Sequence, residues 1–240
     1  EYSVIPGKLF ETLVQWNNLN FRSSVLSKIG QPADRTSFEL FPDITNAYYD
    51  PLTNSINVMA GILQAPYFNA TADPALNFAG AGVIVGHENS HGFDDQGRMY
   101  DGHGKLTNWW APATAAKFEE KTACLVEQYG SFEALPGVYV NGNLTLGENI
   151  ADNGGVKTAY RAYLNSTSTP NEKLFWIGYV QGWCSLASPQ YVKVQVQTDP
   201  HSPAKFRAIG PVMNRPEFSE VFQCKPGSVM NPTTKCEVWQ

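Results

Sequence analysis

The chain has 240 residues, 42% of them apolar and 16% charged, with a formal net charge of −5. Such a balance excludes a disordered chain, leaves enough apolar material for a sizeable core, and argues against a protein that grips nucleic-acid phosphates. No apolar run approaches a membrane span, and the segment that opens on Glu1 is not signal-like, which leaves the compartment open.

In chain order, Leu9, Leu13 and Trp16 recur at helical spacing, with Gly30 and Pro32 as stops, and the stripe reads as core. Two strand-like runs follow, 44–49 and 55–59, separated by a hairpin-like turn at Asp50-Pro51-Leu52-Thr53-Asn54. Asp73-Pro74 has the form of a helix cap followed by proline at the first helical position. Gly80, Gly82 and Gly86 then sit in a stretch that should be helical. Glycine is a poor helix former, so close approach of another backbone, in this domain or outside it, is the simplest reason for them. His103, between two glycines, reads as solvated. Helices are expected over 112–129, 146–164, 175–183 and 216–222, with 165–173 an exposed loop. The alternation of valine with polar residues over 191–197 favours a strand, though the run is too short to exclude a helix.

The chemistry is concentrated in His87-Glu88-Asn89-Ser90-His91. Residues four apart share a helix face, so both imidazoles can reach one metal ion, while Glu88 points aside, where it can hold a water. The bland alternative is a pair of surface histidines flanking a solvated acid. A catalytic zinc site needs a third protein ligand, and Glu148 and Asp152, also four apart, offer one carboxylate to the metal and one to a ligand's ring N–H. Glu148 near the head of an apolar helix can equally be a surface acid that complements the helix dipole.

Four cysteines, Cys124, Cys184, Cys224 and Cys236, contain no CxxC pair, which disfavours a cysteine zinc knuckle, and alone they permit three pairings. Sequons at Asn69, Asn143 and Asn165, beside an even cysteine count, lean towards an extracellular glycoprotein.

Taken together, VIVGHENSHGFDDQGRMYD, LGENIADNGG, NAYYDP, AGILQAPYF, NWW, TDPHSPAKFR and CEVW resemble, in order, motifs of the neprilysin and endothelin-converting enzyme family of zinc endopeptidases. The resemblance implies a mostly helical α+β fold, a thermolysin-like gluzincin catalytic domain with a small edge-strand sheet, spanning 1–240. It implies one zinc ion held by His87, His91 and Glu148, Glu88 as general base and Asp152 as supporting acid. His201 would donate to the oxyanion and Arg207 would bind the substrate backbone. Asn46 and Ala47 would pair with the peptide main chain. Val83, Ile84 and Trp183 would line an apolar pocket for the residue after the scissile bond, so cleavage of short peptides on the amino side of hydrophobic residues is expected.

The resemblance also implies a Cys124–Cys236 disulfide, with Cys184 and Cys224 either free or paired with each other. It places the chain as the C-terminal part of a longer protein, secreted or the ectodomain of an anchored one, without the family's N-terminal lid. That region, or a partner chain, would cover the zinc face. Asn89 replaces an aliphatic residue behind the zinc helix, and Met59 and Ala65 replace prolines near the edge strand. The rival expectation is a secreted zinc-binding glycoprotein, or a fragment, with little or no turnover.

Overall fold

A computed structural model describes residues 4–32, 34–36 and 38–239, arranged as two compact units, Glu1–Ser37 and Phe38–Gln240. The first unit carries helix α1 (Leu9–Ser24) and a 3₁₀ turn, Leu26–Lys28. The expected core stripe is not a core here. Leu9, Leu13 and Trp16 are 74%, 46% and 44% exposed, and α1 buries none of its residues. One helix and one turn provide no second layer to bury the stripe against.

The second unit begins with an antiparallel hairpin, β1 (Ala47–Asp50) and β2 (Ser55–Val58), with Ala47 opposite Val58. Its turn is fixed by Asp50, whose carboxylate accepts from Leu52 N at 2.9 Å and Thr53 Oγ1 at 2.7 Å. The ladder runs without a break despite Met59, which is itself buried. Helix α2 (Pro74–Asn77) is capped by Asp73, which accepts from Ala75 N at 2.8 Å. It continues through a π-type turn, Phe78–Gly82, into α3 (Val83–His91). Helix α4 (Pro112–Gly130) buries Phe118, Thr122, Leu125 and Tyr129. A second hairpin, β3 (Glu133–Leu135) with β4 (Val138–Tyr139), leads to α5 (Leu146–Ser166).

Helix α5 is the centre of this unit. One cluster packs Val156 and Tyr160 of α5 against Ala75, Val83 and the aromatic residues Phe175, Trp176 and Tyr179. These last three belong to α6 (Glu172–Gln181). Another cluster packs Ile150 of α5 against Phe118, Leu125, Tyr129, Phe206 and Val238. A helix buried on both sides shows little amphipathic pattern, and each large apolar side chain so buried contributes about 1.5–3 kcal/mol.

Helices α3 and α5 touch almost backbone to backbone. A Cβ on Gly86 would lie 2.6 Å from Thr158 Oγ1 and 2.9 Å from Gly155 O, and one on Gly155 would lie 2.7 Å from His87 N. Gly80 is likewise held against Tyr67 O, at 2.3 Å from its would-be Cβ, whereas Gly82 has no contact closer than 3.5 Å. Packing inside this unit therefore accounts for Gly80 and Gly86 but not for Gly82.

The expected strand over 191–197 is a helix, α7 (Pro189–Thr198). Ser188 caps it by accepting from Tyr191 N at 3.2 Å, with Pro189 at the first position. That start signal outweighs the valine alternation. Helices α8 (Ala204–Met213) and α9 (Pro216–Val221) complete the order; α8 has no counterpart among the sequence expectations. The tail returns along α4 and α5, fastened by the Cys124–Cys236 disulfide and by Lys157, which donates to the Glu237 carboxylate and the Trp239 carbonyl. Cys184 is exposed, Cys224 is half-buried, and both are free. Asn89 faces solvent, so its polarity disturbs no packing.

Candidate metal centre and cleft

The hairpin, α3, α5 and the start of α8 enclose one cleft of about 530 Å³. Every residue expected to hold metal, do chemistry or touch substrate lines it: His87, Glu88 and His91; Glu148 and Asp152; His201 and Arg207; Asn46 and Ala47; Val83, Ile84 and Trp183. Ala47 lies on β1, which among the described residues pairs with β2 alone, so its other edge has no ladder partner there. Asn46, just before it, is exposed.

The ring nitrogens of the two histidines have separate tasks. His91 Nδ1 is 2.7 Å from Asp94 Oδ2, and His87 Nδ1 is 2.8 Å from Asp152 Oδ1, though out of line for a fully formed hydrogen bond. With Nδ1 of each ring turned to a carboxylate, each Nε2 presents a lone pair to the cleft. Those two atoms are only 3.0 Å apart. Glu148 brings Oε2 to 3.2 Å from His87 Nε2 and Oε1 to 3.6 Å from His91 Nε2. Its Oε2 is buried without a hydrogen-bond donor. Three acceptors thus converge where at most a proton separates them, and a cation is the natural occupant. A tetrahedral ion with bonds of about 2.0–2.1 Å has ligand edges of roughly 3.3 Å, close to these separations. The donor set, two imidazoles and one carboxylate, suits zinc.

The carboxylate of Glu88 also lies within 4.8 Å of both imidazoles. Glu148 comes nearer to each of them, so by distance it is the better placed third donor, and Glu88 stands beside the three. Glu88 is 6% exposed, and burial pushes its carboxyl up despite the neighbouring histidines. A carboxylate raised in this way is a better proton acceptor than a solvated one. Burial raises the carboxyl of Glu148, but the close His87 imidazole, with His91 and His201, brings it down to about 2. For His87, burial pulls the imidazole down while Asp152 and Glu148 more than offset it, and it is pushed up to about 9. Without metal, a proton therefore occupies the place among these lone pairs that a metal would take.

The sequence reading assigned Arg207 to substrate. Its guanidinium is committed first to Asp152, through Nε to Oδ2 and Nη2 to Oδ1, both at 2.8 Å, and it stacks on Trp183 at 4.2 Å. Burial opposes a charged guanidinium, yet Asp152 raises its pKa further, and Asp152 is correspondingly held low. His201 Nε2 is 3.3 Å from Glu148 Oε1, and its Nδ1 is 2.8 Å from Asp199 Oδ1.

Two of these carboxylates escaped sequence reasoning. Asp94 lies three residues after His91, one helical turn on, and that spacing was the available signal. Asp199 also accepts from His201 N at 2.8 Å, a local turn marked in the sequence by Asp-Pro-His. Ile62 and Tyr67, which also line the cleft, lie inside the AGILQAPYF motif, which was their available signal. The sequon residues Asn69, Asn143 and Asn165 are all exposed. No helix among the described residues is long and apolar enough to cross a membrane.

Residues 46–238 match the profile of Peptidase family M13. Endothelin-converting enzyme 1 of Bos taurus is 45% identical over 251 residues, covering 100% of this chain and 33% of that protein. Neprilysin-3 of Drosophila melanogaster is 43% identical over 252 residues, covering 100% of this chain and 32% of that protein. The chain thus spans about a third of the length of the curated relatives it matches. Among solved structures, the zinc metalloprotease ZMP1 of Mycobacterium tuberculosis, in complex with an inhibitor, superposes with a TM-score of 0.90 at 33% identity. It covers 100% of this chain and 39% of that one.

Proposed function

This chain belongs to Peptidase family M13, and we propose that it is the catalytic part of a longer zinc-dependent endopeptidase acting on short peptides. The observation that carries the reading is the convergence of the His87 and His91 Nε2 atoms with the Glu148 carboxylate, with Glu88 buried beside them. His87, His91 and Glu148 hold the zinc. When bound, zinc supplies a Lewis acid that polarises the scissile carbonyl and acidifies water.

The chain's own residues do the rest. Glu88 takes the proton of the attacking water and passes it to the leaving nitrogen. His201 presents Nε2–H to the oxyanion, its Nδ1 held by Asp199. Asp94 and Asp152 fix the two ligand rings, and Arg207, anchored on Asp152, turns its remaining donor edge to the substrate backbone. The peptide lies as an added strand along β1, pairing with Asn46 and Ala47. Val83, Ile84 and Trp183 receive an apolar side chain after the scissile bond, which sets cleavage on its amino side.

In this reading the natural partners are short peptides and an N-terminal region of the same protein, or a partner chain. The setting is extracellular, with glycans on Asn69, Asn143 and Asn165. The test is Glu88→Gln in the zinc-loaded protein with short fluorogenic peptides. Zinc content should be unchanged and turnover should fall about a thousandfold. A variant that kept most of its activity would remove Glu88 from the role of base. A wild-type protein that held zinc and cleaved nothing would favour the zinc-binding glycoprotein instead.

A further inference from the structure

We propose that Ser202 and Asn149 form a positioning strut that sets His201 against the metal ligand Glu148, an inference that rests on the peptidase reading above. The two residues are sequence neighbours of the groups they would align. Ser202 follows His201, and Asn149 follows Glu148. Ser202 Oγ donates to Asn149 Oδ1 at 2.8 Å, and the residues are 1% and 0% exposed.

The need for such a strut comes from how His201 is held. Its Nδ1 and its backbone N both bond Asp199 Oδ1, each at 2.8 Å. Asp199 belongs to the same loop, so this clamp fixes the ring to the loop and not to the metal ligands. The loop meets α5 at the cleft through His201, 3.3 Å from Glu148, and α8 meets it just beyond through Arg207, 2.8 Å from Asp152. Those contacts belong to side chains that must also face metal and substrate. The Ser202–Asn149 bond lies outside the chemistry.

The acceptor end is itself braced. Asn149 Nδ2 donates to Thr145 Oγ1 at 2.9 Å, which in turn donates to Asn141 O at 3.1 Å. Thr145 is also buried, at 1% exposed. Thr145 Oγ1 gives its proton to Asn141 O and so accepts from Asn149 Nδ2, which leaves Oδ1 turned to Ser202; a flipped amide would break the Thr145–Asn141 bond. A hydroxyl donor on the loop and a braced acceptor on the ligand-bearing helix set one distance, that between His201 and Glu148.

The strut predicts a specific pattern for Ser202→Ala in the zinc-loaded, full-length protein. The zinc content stays at the wild-type value, KM changes by less than about twofold, and kcat falls about tenfold to a hundredfold, because an oxyanion donor misplaced by about 1 Å loses that much. Backbone hydrogen exchange speeds up over 199–203, while α3 and α5 keep their protection. A merely structural role would instead lower melting temperature and zinc content together and loosen both helices. Unchanged exchange over 199–203, or a kcat within twofold of wild type, would overturn the proposal. If Ser202→Ala does not fold, Ser202→Cys keeps the volume with a weak donor and should show the same pattern with a smaller loss. A wild-type protein with no peptidase activity would sink the proposed function and not the strut, which the exchange measurement then decides alone.

Discussion

Replacing Gly155 with alanine should damage the metal centre without touching a ligand. The new methyl would stand 2.7 Å from His87 N, 2.8 Å from Val83 O and 3.0 Å from His87 Cα. All three are backbone atoms of α3, so no side chain can swing away to relieve the contact. Reaching an ordinary separation of 3.4 Å requires α3 and α5 to part by about 0.7 Å, and forced packing of this kind costs about 1–3 kcal/mol. The metal site straddles the same seam, with His87 and His91 on α3 and Glu148 on α5. Metal geometry tolerates errors of about 0.5 Å, so zinc affinity should fall by about tenfold or more. Urea unfolding of the metal-free protein measures the first effect, and competition with a chelator of known affinity measures the second. Gly130→Ala is the control. It ends α4 with nothing within 4 Å of its would-be Cβ, so it should leave zinc binding alone and stabilise by up to about 1 kcal/mol. Wild-type stability and zinc affinity in Gly155→Ala would show that the helices do not meet as described.

Glu148→Gln should weaken zinc binding rather than turnover alone, since the amide is a poorer ligand; metal analysis after dialysis against a weak chelator reads it, and wild-type retention would remove Glu148 from the ligand set. Replacing both Cys124 and Cys236 with serine opens a link across a sequence separation of 112, which the chain-entropy relation values at about 4–5 kcal/mol; denaturant unfolding should show a loss of that order, and a loss under about 1 kcal/mol would contradict it. In the metal-free protein His87 is raised from 6.5 to about 9, so its contribution to stability is complete below pH 6.5 and disappears as pH rises through about 9. Metal-free melting temperature should therefore drop across that window, while zinc affinity rises because the competing proton is gone; a flat melting profile and a flat zinc affinity would count against this site. Asp152→Asn strips the buried Arg207 of its bidentate partner and should cost about 3–5 kcal/mol by thermal or urea unfolding.

The proposed metal ligands are legible because their spacing is local. His87 and His91 share one helix face, as do Glu148 and Asp152. The resemblance then supplied what spacing could not, the meeting of segments some sixty residues apart. Sequence reasoning failed where tertiary structure decides. The alternating valines of α7 form a run too short to separate strand from helix, and the Ser188-Pro189 start decides for the helix. The stripe of α1 reads as core from periodicity alone, yet periodicity does not say whether a second layer is present to bury it. The pairing of Arg207 with Asp152, 55 residues away on another helix, has no local signal, so the anchor of this cleft residue is visible only in the structure. Helix α8 was missed because Pro211 sits inside it, where proline ordinarily argues against a helix.

The most direct test of the metal centre is zinc K-edge X-ray absorption on the purified protein, with the metal counted per chain. One zinc per chain, bound by two imidazole nitrogens and a carboxylate oxygen at about 2.0–2.1 Å with a further light atom in the open position, is the predicted result. Zinc well below one per chain, or a shell of oxygens alone with no imidazole scattering, would contradict it.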